Sequence, residues 1–158
     1  MKLLGIALTT TLVTGALMAE ELATKKALTL SIAKKIAAAA EAEASANKWN
    51  VVVAILDDGG NLLYLQRMDG TQIGSVDVAI AKGQSAIKFK RPTKVFEDAL
   101  SGGRQAILKL PGAIPVEGGL PLVVDGQFLG AIGVSGVQSN QDGQIAKAGT
   151  DWLAKMSK

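Results

Sequence analysis

The stretch that decides the fold is Gly126–Gly136, "GQFLGAIGVSG". Gly130, Gly133 and Gly136 recur every third residue inside an apolar run. A phosphate-cradling dinucleotide turn also has closely spaced glycines. It needs a strand before the glycines, a helix after them, and then a second parallel strand carrying an acid. Here Asp125-Gly126 is hairpin-turn chemistry, so Gln127–Val134 reads as the return strand of a hairpin whose outgoing strand is Leu120–Val124. The helix that follows begins near Asn140 and is the last element, so no βαβ unit is expected. Asp151 has a suitable spacing for the acid but falls on that helix. The glycines then mark a bulge or a close approach by another backbone, a ligand or a neighbouring subunit. Gly136, just before the helix, presents N–H groups to an anion.

A second hairpin precedes it in "NVVVAILDDGGNLLYLQRM", Asn50–Met68. Val51–Leu56 runs out, Asp57–Gly60 turns, and Leu62–Arg67 returns. The outgoing strand is apolar on both faces, which predicts a central position covered on both sides. A first helix is capped by Thr29, carries an apolar stripe of Ile32, Ala33, Ile36, Ala37, Ala40 and Ala44, and ends at Asn47. A second, with Val76, Ile80, Gly83 and Ile87 at helical spacing, stops at Arg91-Pro92. Thr93 caps a short helix ending at Gly102-Gly103. "RQAILKL" adds a helical turn, and an extra strand is expected around Ile114–Val116. The last helix shows Ile145, Ala148, Trp152 and Met156 on its apolar side. The order is that of an α+β domain with a mainly antiparallel sheet flanked by helices.

A chain of 158 residues forms one domain with a substantial core. Its six aromatic residues are few, so that core is built from Ala, Val, Ile and Leu. Residues 1–19 read as a signal peptide: Lys2 supplies the positive start, Leu3–Leu17 the apolar run, and Ala19 the cleavage position before two glutamates. Leu17 is larger than that site prefers, and an uncleaved anchor is the other reading. Cleavage leaves residues 20–158 as a single domain and, with Lys2 gone, lowers the net charge from +3 to +2. A periplasmic or secreted location is then expected, with no membrane span. There is no Cys, hence no disulfide or thiol chemistry. There is no His, which removes Ser-His-Asp triads, ordinary zinc sites and imidazole-ligated haem together.

Four groups of residues could carry chemistry. Lys82, Lys88, Lys90, Arg91 and Lys94 form a basic run without an acid, read either as a solvated helix face or as a site for carboxylates or phosphates. Nucleic acid is not expected as a partner, given export and so few aromatics. "LQRMDG", Leu65–Gly70, places Arg67 near Asp69 at a strand end, with Met68 a soft donor between them. Asp57 and Asp58 are explained by their turn. Glu117 opens the glycine pair Gly118-Gly119 and is placed for general acid–base work.

These residues resemble a known family. "NVVVAILDDGGNLLYLQRMDG", "KFKRPTKVFEDAL", "LPGAIPVEGGLPLVVDGQFLGAIGVSG" and "QDGQIAKAG" occur in order and are similar to the GlcG/HbpS family of haem-degrading-domain-like proteins, relatives of the PduO C-terminal domain. The resemblance spans about Leu28–Leu153. It implies a profilin-like fold, a five-stranded antiparallel sheet of order 2-1-5-4-3 between helices. It also implies homo-oligomers, a small-molecule ligand with haem as the named cofactor, and, for exported members, a sensor protein as partner. Arg67, Asp69, Lys88, Arg91, Thr93, Glu117, Gly118, Gly119 and Ser135 are the candidate ligand contacts. Without His, Tyr64, Met68 and a lysine are the candidates for the haem iron, or else haem sits in an apolar site with its propionates on Lys or Arg of the basic run. The other readings are a cofactor-poor enzyme acting on a small hydroxy- or oxo-acid through Glu117, Arg67 or a lysine, and a modulator of a membrane sensor.

Overall fold

The computed structural model describes residues 21–157. The signal-peptide reading, residues 1–19, lies outside them. The elements are α1 (Leu30–Ala46), β1 (Val52–Asp57), β2 (Leu62–Arg67), α2 (Ser75–Phe89), α3 (Lys94–Ser101), a 3-10 turn (Gln105–Lys109), β3 (Gly119–Val124), β4 (Gln127–Ser135) and α4 (Ser139–Met156). One antiparallel sheet has the order β2-β1-β4-β3.

The expected five-stranded order 2-1-5-4-3 is therefore corrected to four strands. The remaining four keep the expected neighbours, and the missing member is the extra strand at Ile114–Val116. Two contacts explain its absence. The Ile114 N–H donates to the Ser85 hydroxyl on α2 at 3.0 Å, which ties this proline-flanked segment to the helix. The outer edge of β3 is already engaged at its start by Thr93. Its N–H donates to the Gly119 carbonyl at 3.0 Å, and its Oγ1 accepts from the Gly119 N–H at 3.0 Å. Thr93 thus precedes α3 as expected, but its hydroxyl clips the sheet edge rather than capping the helix.

Helices α1 and α4 cover one face of the sheet and α2 the other. β1 alternates between them. Val53 and Ile55, with Val51 just ahead of the strand, join Ile36, Ile132, Val134 and Ile145 in the larger core. Val52, Ala54 and Leu56 pack with Ala79 of α2. All six are buried, so both faces of β1 contribute, with about 1.5–3 kcal/mol for each large aliphatic side chain. α1 forms as its sequence predicts: Thr29 Oγ1 accepts from the Ile32 N–H at 3.3 Å, and Asn47 closes the other end.

The glycine strand is β4, and at Gly133 its neighbour is α2. A Cβ at Gly133 would lie 2.0 Å from the Ala79 carbonyl oxygen and 2.6 Å from the Gly83 nitrogen. Of the expected partners for such a close approach, it is another backbone, that of the molecule's own helix, that fills this position. The apolar side of α4 is also corrected. Its buried residues are Asp142, Gly143, Ile145, Ala146, Gly149 and Leu153, while Ala148 and Trp152 are half-buried and Met156 is exposed. Gly149 sits against Ile132 and Ile36, where a Cβ would come within 2.8 and 3.1 Å. A glycine adds nothing to a hydrophobic pattern, so the sequence points to the flank of the true contact face.

Candidate functional site

Lys82 belongs to the basic run, for which the sequence leaves a solvated helix face and a site for carboxylates or phosphates as the two readings. It lies instead on the inner side of α2 and is 1% exposed. Its Nζ donates to Asp142 Oδ2 at 2.8 Å and to the Val134 carbonyl at 3.1 Å. Asp142, on the first turn of α4, also accepts from the Val137 N–H at 3.3 Å through Oδ1. The anion before the last helix is thus this chain's own carboxylate. Burial pushes the Asp142 carboxyl above its ordinary value, and the Lys82 ammonium and the Val137 and Gly136 N–H groups pull it back only in part. Two charges buried this deeply require each other.

The Glu117-Gly118-Gly119 loop closes over this pair. Gly118 has φ 127°, and a Cβ there would come within 2.9 Å of Lys82 Nζ and 2.7 Å of the Val134 carbonyl oxygen. Glu97 on α3 accepts from the Glu117 N–H and, through Oε1, from the Ser139 hydroxyl at 3.1 Å. Glu117 lies over Gly143, with its Oε2 3.7 Å from Lys94 Nζ. The structure therefore brings together Thr93, Glu117, Gly118 and Gly119, and the residues they meet are Lys82, Glu97 and Asp142. No buried side-chain polar atom among the described residues lacks a partner. What this arrangement does chemically is hold three segments on the end of the sheet.

The other candidates lie apart from it. Ser135 donates to Ser75 across the buried β4–α2 contact at 3.3 Å. Arg67, Met68 and Asp69 line a polar cleft of about 420 Å³ with Glu41, Asn50 and Gln66. Among the described residues Arg67 and Asp69 form no ion pair with each other. The Tyr64 hydroxyl donates to Gln66 Oε1 at 3.0 Å, and its ring packs on the α1-side core. Arg91 stacks over Phe96, 5.9 Å from the ring centroid, and its Nε donates to the Phe89 carbonyl at 3.1 Å. Lys88 is exposed on the last turn of α2.

Two further clefts meet beside the β3–β4 turn, and both are lined by Lys26. The turn is made by Asp125 (φ 49°) and Gly126 (φ 74°), the two positive values a tight hairpin requires. On one side an apolar cleft of about 430 Å³ is walled by Leu28, Ile32, Val124, Leu129 and Leu153, with Met156 at its edge. On the other a cleft of about 350 Å³ has Ile87 and Phe128 among its walls and Lys25, Lys26 and Lys90 around it. Lys26 pairs with Asp125 at 2.5 Å and Lys25 with Asp58, while Lys90 Nζ lies 5.3 Å from the centre of the Phe128 ring. Reading the sequence missed Met156, which its pattern places in the core. It also missed Lys25 and Lys26, because two lysines in a loop carry no motif.

These surroundings test the fit of haem. The nearest polar partner of Tyr64 is a glutamine, and Met68 belongs to a polar cleft, so neither opens on an apolar slot. The Met156 cleft does. It offers a thioether donor of the kind haem iron accepts, aliphatic walls, and a lysine at its rim for a carboxylate. Those residues fit the group. Among the described residues no cluster of His, Cys, Asp and Glu could hold a bare metal ion. No described helix is long and apolar enough to cross a membrane.

Comparison with known proteins agrees with this fold. A family described as "Haem degrading protein HbpS-like" matches residues 28–151. Protein GlcG of Escherichia coli K12 is 42% identical over 112 residues, covering 71% of this chain and 84% of GlcG. The crystal structure of the Klebsiella pneumoniae protein ORFY superposes with a TM-score of 0.79 at 31% identity, covering 86% of this chain and 97% of that one. A crystal structure of a PduOC:haem complex superposes with a TM-score of 0.73 at 28% identity, over 80% and 94%.

Proposed function

Since this chain belongs to the HbpS-like family, we propose that it is an exported, homo-oligomeric haem-binding protein whose ligand lies in the apolar cleft between the start of α1, the end of α4 and the β3–β4 hairpin. The carrying observation is the lining of that cleft. Its walls are aliphatic, its exposed edge is Met156, and its rim is Lys26. The related haem complex supports haem as the ligand. Leu28, Ile32, Leu129 and Leu153 would shield the macrocycle from water. The Met156 thioether would approach the iron, and Lys26 would meet a propionate once released from Asp125. Haem would supply the redox chemistry of its iron, which Met156 and the dryness of the aliphatic wall would tune.

Haem titration of the purified chain, followed at the Soret band, tests this. The expected result is a saturable shift. Met156→Ala is expected to move the band and weaken binding about tenfold, since a soft axial donor is lost. No spectral change at micromolar haem overturns the proposal. The export part is checked by the mass of the protein recovered from the periplasm, expected to begin at Glu20. The oligomer is checked by sedimentation of the same material.

A further inference from the structure

We propose that the cationic cleft beside the β3–β4 turn is a carboxylate-binding site, with Lys90 as the cation that takes the ligand and Phe128 as the surface on which a planar body rests. Three observations carry this. First, three ammonium groups and one carboxylate, Asp58, line the cleft, and Asp125 stands beside it. Asp58 engages Lys25 and Asp125 engages Lys26, while Lys90 forms no ion pair among the described residues. Second, Lys90 is the left-handed residue that ends α2, with φ 52° and ψ 42°. That conformation is costly for any residue with a Cβ, and glycine is the usual occupant. Here the costly residue places its ammonium group 5.3 Å from the Phe128 ring centre, at the mouth of the cleft. Third, Ile87 and Phe128 give the cleft an apolar side, so it suits a carboxylate attached to a flat apolar body rather than a bare anion.

The cleft shares Lys26 with the apolar cleft, so one amphipathic ligand can occupy both. In that form the inference rests on the haem reading, and the carboxylates are the propionates. A free small aromatic carboxylate has the same chemistry. The two sources are separated by experiment.

Haem and its dimethyl ester are titrated into the purified chain and into Lys90→Gly, each followed at the Soret band. Melting temperatures are measured alongside. Lys90→Gly is expected to bind haem about tenfold more weakly, the loss of one charge-assisted contact. The ester is expected to bind both proteins equally, and more weakly than haem binds the variant, because it forgoes the Lys26 contact as well. The melting temperature should stay level or rise, because glycine relieves the left-handed strain. This separates loss of a ligand contact from loss of the fold. A variant that binds haem as tightly as the parent overturns the proposal, as does an ester that binds the parent as tightly as haem does. If haem gives no spectral change at all, the haem reading fails by itself. Benzoate titration followed by amide chemical shifts then decides the carboxylate site alone: saturable shifts at Lys90 and Phe128 sustain it, and none overturns it.

Discussion

Lys82 and Lys25 each face a single aspartate, yet the two pairs behave as different materials. The Lys82–Asp142 pair is 1% and 3% exposed, and each partner adds a backbone contact. The Lys25–Asp58 pair is 71% and 34% exposed. Inside, neither charge has water to return to, so each depends on the other. Outside, water competes with the aspartate, and the lysine can exchange its partner for an incoming anion at little cost. One lysine–aspartate pair is therefore architecture, and the other is a surface open to a ligand.

The sharpest way to break this contrast is to remove one buried charge. Lys82→Met should lower stability by about 3–5 kcal/mol in urea unfolding, because Asp142 is left buried and unpaired. Lys82→Met with Asp142→Leu should recover most of that loss. Lys25→Ala should leave the urea midpoint where it is. A Lys82→Met protein as stable as its parent would remove the distinction between the pairs.

A second test concerns the contact that sets the depth of Lys82. The Gly133–Gly83 approach seats α2 on β4, and Lys82 is the neighbour of Gly83. Gly133→Ala should cost about 1–3 kcal/mol by overpacking. It should also raise the hydrogen-exchange rate of α2 amides more than that of α4 amides. A loss shared evenly by both helices would show that the close approach does not position α2.

The smallest expected effect lies at the β1–β2 turn, again at an aspartate. The N–H of Asn61 is the main cause holding the Asp57 carboxyl below its ordinary 3.8, with the Asn61 side chain and the Gly59 N–H adding to it. A lowered folded value means that its stabilisation is fully present above 3.8 and is lost as pH falls through the folded value. Asp142 has the opposite sign: its raised value favours the fold at low pH, and that contribution fades as pH rises. Asp57→Asn should therefore flatten the acid limb of the stability curve below that ordinary value. At neutral pH it should cost about 0.5–1 kcal/mol, the worth of one turn hydrogen bond. An unchanged acid limb would mean that the turn carboxylate contributes nothing there.

Much of the fold was legible because it is written locally. The Asp125-Gly126 and Asp57–Gly60 turns, the Thr29 cap and the doubly apolar β1 each depend on a few adjacent residues. The features that escaped depend on distant partners. Lys82 reads as one more surface cation until Asp142 is brought beside it. Ile114 and Val116 are strand-forming, but Pro115 between them cannot donate to a ladder, and Ser85 and Thr93 decide where the segment goes. In α4, Gly149 hides the true contact face and puts Trp152 and Met156 in the core by pattern alone. Of the candidate site, the turn glycines and Thr93 were legible, and so was Lys90 as one cation of a run. Glu117, Gly118 and Gly119 gathered as a group, whereas the Lys25–Lys90 cleft is assembled from four separate segments.

The sheet order also governs how this chain is made. β1, apolar on both faces, pairs with β4, joining Val52 to Ser135 and Asp57 to Gly130. During translation β1 emerges first, and its β4 partner follows only about 70–80 residues later. Pairing across so long an interval of chain is slow and cannot start before both strands exist. β1 therefore keeps one edge open over that interval of synthesis. An apolar strand with one edge left open in this way is the form that needs a chaperone.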